Sequence, residues 1–255
     1  MGTWALGATV AVTGASSGIG RAVACRLAAA GATVLAVARR GDELAAVADT
    51  YPDGGGDGLV VPVVADVTDP DTPPRLREIV DQRSDRLDGL VNCAGLARFA
   101  SIDAADLADL DRMLAVNVRA PAALVQALLP ALRAAGGSVV NVTSIGGVVA
   151  MPNRALYGAS KAAANSLTRS LAHELAPDVR VNAVVPGAVD TPMYADLGLD
   201  EQHTATLREG LLRTTPMGRF GQPDDVARYV CMLLDPSVSG WVTGALATVD
   251  GGRSA

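Results

Sequence analysis

Tyr157 and Lys161 stand four residues apart in the stretch LYGASKAAANSL, which has helical composition, so both side chains share one helix face. A phenol, with an ordinary pKa of about 10, and a neighbouring ammonium form a proton donor and its tuner. The positive charge favours the phenolate and draws the phenol toward the range useful for acid–base work. Such a tyrosine gives a proton to a carbonyl oxygen or takes one from an alcohol. Ser144, thirteen positions before Tyr157, closes an apolar run and offers a hydroxyl to polarise the same oxygen. Asn117 lies in the otherwise apolar segment MLAVNVRAPAALV and needs a hydrogen-bond partner there. Singly, these residues have plainer roles as a half-buried aromatic, a solvated lysine and a turn serine; their spacing makes them a set.

A second feature precedes them. Thr13–Gly20 reads TGASSGIG, directly after a strand-like run and directly before a helical one. In that position Gly14 suits a tight turn, while Gly18 and Gly20 let backbone approach a pyrophosphate at the helix N-terminus, with Ser16, Ser17 and Ile19 in the same loop. The next strand ends at Arg39-Arg40, where an NAD site usually places a carboxylate for the ribose 2′-hydroxyl. Arg39, backed by Arg40, suits a 2′-phosphate instead, because a guanidinium presents paired donors. NADP(H) is therefore expected over NAD(H); the alternative is a pair of solvated arginines opening a helix.

These groups need a scaffold that gathers them at one edge. Thr9–Thr13, Thr33–Val37, Leu59–Val64, Gly89–Val91, Ser138–Val142, Val179–Val184 and Ala245–Val249 read as strands. Helical periodicity runs near Ile19–Ala30, Asp42–Asp49, Pro73–Arg83, Ala104–Ala134, Leu156–Ala176 and Pro223–Leu234. The alternation predicts a doubly wound, Rossmann-like α/β fold in one domain, a seven-stranded parallel sheet with helices on both faces. Pro52–Gly58 reads as a surface turn. Asp190 to about Phe220, broken by Gly and Pro and weak in strand character, reads as a flap near the substrate or as a plain surface excursion.

The 255 residues are 49% hydrophobic with a net charge of −6, an acidic balance that argues against a nucleic-acid partner and for a small molecule. Cys25, Cys93 and Cys231 are scattered without a CxxC pair, so neither a disulfide framework nor a metal site is expected, and a cytoplasmic setting is. The first residues lack a basic n-region and meet glycines early, so no signal peptide and no membrane association are expected.

Together with NCAG at Asn92–Gly95, Asp66-Val67, VRVNAVVPG at Val179–Gly187 and VDGG at Val249–Gly252, these motifs resemble the short-chain dehydrogenase/reductase family, single-domain type, from the first strand to the end. The resemblance implies a tetrad of Asn117, Ser144, Tyr157 and Lys161. Lys161 would also hold the nicotinamide ribose, and Asn117 a water in a proton relay. It implies adenine-side contacts at Asp66 and Val67, ribose contacts at Asn92, Ala94 and Gly95, and a nicotinamide-side loop with Pro186, Gly187, Val189 and Thr191. It further implies hydride transfer without a metal, and a homotetramer or homodimer packed through the helices around Ala104–Ala134 and Leu156–Ala176. Cys93 stands where relatives often have Asn, Ser17 where some NADP-preferring members have Arg or Lys, and His173 where many acyl-carrier-protein ketoreductases have Arg. Candidate substrate-pocket residues are Leu96, Ile145, Met151, Asn153, Met193 and Tyr194, a mostly apolar set suiting an apolar ketone or alcohol. A non-catalytic NADP(H)-binding regulator on the same scaffold is the alternative.

Overall fold

Strand β1 (Thr9–Thr13) is buried along its length, and its alternation sends Val10 and Val12 to one side and Ala11 to the other. The same two-sided burial shapes β2 (Thr33–Ala38), β4 (Gly89–Asn92), β5 (Ser138–Val142) and β6 (Arg180–Pro186), while the edge strands β3 (Leu59–Val64) and β7 (Leu246–Val249) are only partly covered. All pairings are parallel, in the order β3-β2-β1-β4-β5-β6-β7. The order reverses direction between β1 and β4, and such a switch point opens a crevice at the carboxyl ends of the strands. This structure, a computed structural model, describes residues 3–51 and 58–255. The Pro52–Gly58 turn read from the sequence lies outside them except for Gly58.

Helices α1 (Gly18–Ala29), α2 (Gly41–Ala48), α3 (Thr72–Asp81), α4 (Leu107–Leu114), α5 (Ala120–Ala135), α6 (Ala155–Leu175), α7 (Glu201–Arg213), α8 (Pro223–Leu234) and the single turn α9 (Pro236–Ser239) cover the two faces and the edge. On one face Val23 and Leu27 of α1, Leu44 of α2 and Val226, Val230 and Leu234 of α8 close over Val10, Val12 and Val34. On the other, Leu76, Leu124, Leu128, Leu132 and Leu175 close over Ala11, Leu35 and Val139. Asp224 accepts both forks of Arg26, fastening α8 to α1.

Two expectations change. The helix expected over Ala104–Ala134 is α4 and α5 joined by a π-helical segment, Ala115–Arg119. One residue is added to the turn there, and Asn117 is carried inward. By composition the run Leu107–Ala135 is apolar enough to cross a bilayer, yet one side of it, through Leu124, Leu128 and Leu132, is part of the core. The Asp190–Phe220 stretch contains a 3₁₀ segment, Pro192–Asp196, and the helix α7. Apolar positions in α7 are sparse because only Leu211 of that helix is buried. Arg208 ties it down, donating to Asp190 at 2.8 Å and lying over the Tyr194 and Phe220 rings.

Beneath the crevice a buried polar chain crosses the core. Asn92 Nδ2 donates to Asn141 Oδ1 at 2.9 Å, and Asn141 Nδ2 donates to Thr168 Oγ1 at 2.9 Å. Replacing its middle member strands both ends in an apolar interior. Asn141→Leu is expected to lower unfolding free energy by about 2–4 kcal/mol in denaturant titration. Thr168→Val, which leaves the Asn92–Asn141 bond intact, costs less.

Candidate active site

Ser144 leaves β5 in extended conformation, its hydroxyl accepting from Gly146 N at 3.1 Å, so the 3₁₀ turn Ile145–Gly147 starts beneath it. Helix α6 packs directly on that turn. An ideal Cβ at Gly147 would sit 2.5 Å from the Lys161 carbonyl carbon, so a side chain at 147 would force the two elements apart. The contact lays the Tyr157 ring over Gly146 and brings the Ser144 hydroxyl to the phenol. Lys161 lies four residues on, buried, its Nζ 3.3 Å from the Val142 carbonyl oxygen.

Asn117 closes the group from the opposite side. Its Oδ1 accepts from Leu96 N at 3.0 Å, while its Nδ2 donates to Leu96 O at 2.9 Å and to Ser160 Oγ at 3.0 Å. Ser160 in turn donates to the Tyr157 carbonyl oxygen at 2.8 Å. The side chain thus locks the π-helical segment to the Asn92–Gly95 loop and to α6. All four residues of the sequence-derived set meet at the carboxyl ends of β4 and β5. Asn117 Oδ1, Lys161 Nζ and the Met193 methyl surround the space that a Cβ on Gly95 would occupy, at 3.6, 3.6 and 3.7 Å.

Electrostatics here depart from the sequence-based expectation in one respect. Burial raises the Tyr157 phenol above its ordinary pKa, offset partly by Ser144 and Arg154. The Lys161 ammonium, its Nζ 5.9 Å from the ring centroid and itself desolvated, does not overcome that rise. Burial brings Lys161 down to about 8, against the influence of Cys93. Burial in turn pushes the Cys93 thiol up to about 12, so this cysteine is neutral and unreactive.

The glycine loop lies across the crevice from these residues. Gly14 adopts φ +68°, and an ideal Cβ there would fall 2.9 Å from Ala94 N; both features require glycine. Gly18 faces Thr191, whose methyl would be 3.1 Å from an added Cβ. The loop after β6, Pro186–Thr191, therefore covers the start of α1. Ser16, Ser17, Ile19 and Gly20 complete the loop and the first turn, with Ile19 packed toward the core, and the uncapped amides of α1 face the crevice. That cradle fits a dinucleotide pyrophosphate. At its outer end Arg39 sits 3.8 Å from Asp66. Arg40, expected only to back Arg39, donates to Ser16 Oγ at 2.9 Å and Ser17 Oγ at 2.7 Å. Val67 lies beside Asp66, half-buried. Asn92 keeps its side chain in the core chain to Asn141, so only its backbone faces the crevice, with Ala94 and Gly95.

On the substrate side Leu96 and Tyr194 join Tyr157, Phe99, Met113 and Leu197 in one apolar cluster, and the Phe99 ring meets Tyr157 edge-on at 5.3 Å. Ile145 is buried in the turn beside Ser144 and Met193 is half-exposed. Met151 lies against Arg154. Asn153 faces solvent at φ +60°; it shapes the turn before α6, and Arg154 reaches inward instead. The sequence reading also missed Thr13, whose Oγ1 accepts from Cys93 N and Ala94 N at 3.0 Å, and it missed Gly146, Gly147 and Ser160. A hydroxyl at the end of a strand and paired glycines after Ser144 were the available signals.

The fold and this site together define a nicotinamide-dependent oxidoreductase. Residues 14–254 match the family model described as Enoyl-(Acyl carrier protein) reductase. A 3-oxoacyl-[acyl-carrier-protein] reductase of Thermotoga maritima is 38% identical over 246 residues, 94% of this chain and 95% of that one. Levodione reductase, a solved structure, superposes with a TM-score of 0.89 at 31% identity, covering 97% of each chain. A 3-ketoacyl-(acyl-carrier-protein) reductase of Brucella melitensis, complexed with NADH, gives 0.87 at 31% identity over 98% of this chain and all of that one. The chain belongs to the short-chain dehydrogenase/reductase family.

Lysine burial carries a stability cost with a definite sign. The folded-state pKa lies below the ordinary 10.5, at about 8. The penalty is therefore complete below pH 8 and is relieved as pH rises from 8 toward 10.5, where the unfolded chain still binds the proton. Lys161→Met is expected to raise the thermal midpoint of the ligand-free protein at pH 7, on the order of 1–3 kcal/mol. The gain should shrink steadily when the melts are repeated between pH 8 and 10.

Proposed function

We propose that the chain is an NADP(H)-dependent reductase of ketones, or dehydrogenase of the matching secondary alcohols, working as one dinucleotide-binding and catalytic unit. The observation carrying this reading is the convergence of Ser144 and Lys161 with Tyr157, at the edge of the apolar cluster that Tyr157 belongs to, on the same crevice as the glycine cradle. A bound nicotinamide supplies hydride to a carbonyl carbon, or accepts it from an alcohol.

The chain's residues supply the rest. Burial keeps Tyr157 protonated, the form that gives a proton to the carbonyl oxygen in reduction, and Ser144 donates a hydrogen bond to that oxygen. Lys161 carries its charge below about pH 8, stabilises the phenolate left behind and reaches the nicotinamide ribose. Asn117, with its side chain fully engaged, offers its backbone to a relay water that returns the proton. Leu96, Phe99 and Tyr194 exclude bulk water from the reacting oxygen.

The NADP(H) preference is supported by two guanidiniums at the end of β2, Arg40 on the loop serines and Arg39 beside Asp66. Each guanidinium also has a carboxylate beside it, Asp66 at 3.8 Å from Arg39 and Glu43 at 3.2 Å from Arg40, so the two act as a pair. Self-association as a homodimer or homotetramer is favoured by two apolar surfaces. One is the outer side of α5 and α6, rich in alanine; the other holds Tyr229, Met232, Val238 and fully exposed Trp241. We also place the protein in the cytoplasm, without nucleic-acid or membrane partners.

The test follows nicotinamide absorbance with NADPH and NADH in parallel over ketones and alcohols. Tyr157→Phe is expected to lower kcat by roughly 10²–10⁴-fold while leaving NADPH binding intact. Arg39→Ala with Arg40→Ala is expected to raise KM for NADPH by about tenfold or more and to leave that for NADH in place. Preference for NADH in the unaltered protein would overturn the cofactor assignment alone.

A further inference from the structure

Beside the catalytic tyrosine lies a cavity of about 370 Å³ whose charged lining the reaction above does not use. Its apolar wall is the segment Val149–Pro152, and two guanidiniums distant in sequence, Arg154 and Arg253, line it. Arg154 is three residues before Tyr157. Its guanidinium lies over the Phe99 ring at 4.9 Å, and that ring touches the Tyr157 ring edge-on. The cavity therefore adjoins the apolar cluster around the reacting oxygen.

Neither cation is ion-paired among the described residues, although Ala255, the last residue of the sequence, also lines the cavity. Neighbouring arginines on the substrate side have carboxylate partners, Arg98 with Asp196 at 2.8 Å and Arg208 with Asp190 at 2.8 Å. Among the described residues Arg154 and Arg253 have no carboxylate within 4.0 Å. Arg154 donates to the weak acceptor Met151 Sδ at 3.1 Å, and Arg253 to Leu211 O at 3.3 Å and to Thr214 Oγ1. Burial and the like charge of Arg253 hold the Arg154 guanidinium below the ordinary arginine range. Two half-buried, mutually repelling cations without a counter-charge are costly unless an anion joins them. A guanidinium fork matches a carboxylate in shape as well as charge.

We infer that Arg154 and Arg253 form a carboxylate-holding subsite, and that the substrate is an oxo acid or the corresponding hydroxy acid. Its carbonyl lies at Tyr157, an apolar spacer crosses the Val149–Pro152 wall, and its carboxylate sits between the two guanidiniums. The inference rests on the reductase reading and narrows its substrate class, replacing a purely apolar ketone with one that carries an acidic tail.

Two measurements test it. In the first, wild-type enzyme turns over oxo acids of increasing length, each paired with its methyl ester. The acids are expected to exceed their esters in kcat/KM by roughly ten- to a hundredfold at the best length, mostly through KM. That ratio should fall toward one in Arg154→Met and in Arg253→Met, and recover in part in Arg154→Lys, which keeps the charge. In the second, calorimetry measures binding of non-reacting alkanoic acids and their methyl esters to the same four proteins. Acids binding no tighter than esters to the wild type, or a preference that neither methionine variant reduces, would overturn the subsite. Equal turnover of acids and esters, still abolished by Tyr157→Phe, would overturn it and leave the reductase standing. If nothing turns over while Arg154-dependent carboxylate binding persists, the subsite stands and the reductase reading falls.

Discussion

Helix α6 approaches the turn after β5 so closely that no side chain fits at position 147, and the arrangement of the crevice follows from that contact. A helix one side chain farther away would leave Ser144 out of reach of Tyr157 and admit water to Lys161. With water present the ammonium would regain its ordinary pKa, and the phenol would lose the burial that keeps its proton in place. Glycine is thus needed here for proximity rather than for an unusual backbone angle, whereas Gly14 is needed for both.

The same packing makes the site costly to fold. Among the described residues, buried Lys161 has no carboxylate partner. Asn92 Oδ1 and Asn165 Oδ1 find no donor among the described residues. Arg154 and Arg253 repel one another across a cavity. These features collect at the carboxyl edge of the sheet, while the two hydrophobic faces below are continuous and well filled. Stability comes from the layers and is partly spent at their rim, the usual division between scaffold and site.

Much of this was legible in the residues themselves. The five inner strands, buried on both faces, leave runs rich in Val and Ala, and all seven strands were legible with ends displaced by at most two residues. The glycine loop and the Tyr157–Lys161 pair are local in sequence and were readable for that reason. What escaped depends on partners far along the chain. The π-helical segment at Asn117 has no local pattern of its own; its side-chain bonds reach Leu96 and Ser160. Helix α7 buries too little for its period to stand out. The reach of Arg40 to the loop serines crosses more than twenty residues. The direction of the Tyr157 shift was misjudged because burial, which spacing does not reveal, outweighs the neighbouring charge.

Thr13 has a hydroxyl with one proton and two lone pairs, and all three are engaged: it donates to Val91 O and accepts from Cys93 N and Ala94 N. It has no capacity left for solvent, so the end of β1 and the Asn92–Gly95 loop move as one rigid piece. The β1 end begins the phosphate cradle, and the Asn92–Gly95 loop meets Leu96, which Asn117 clamps. One buried hydroxyl thus joins the strand end that opens the phosphate cradle to the loop that Asn117 clamps, so the two halves of the crevice share a single hydrogen-bonded hinge point.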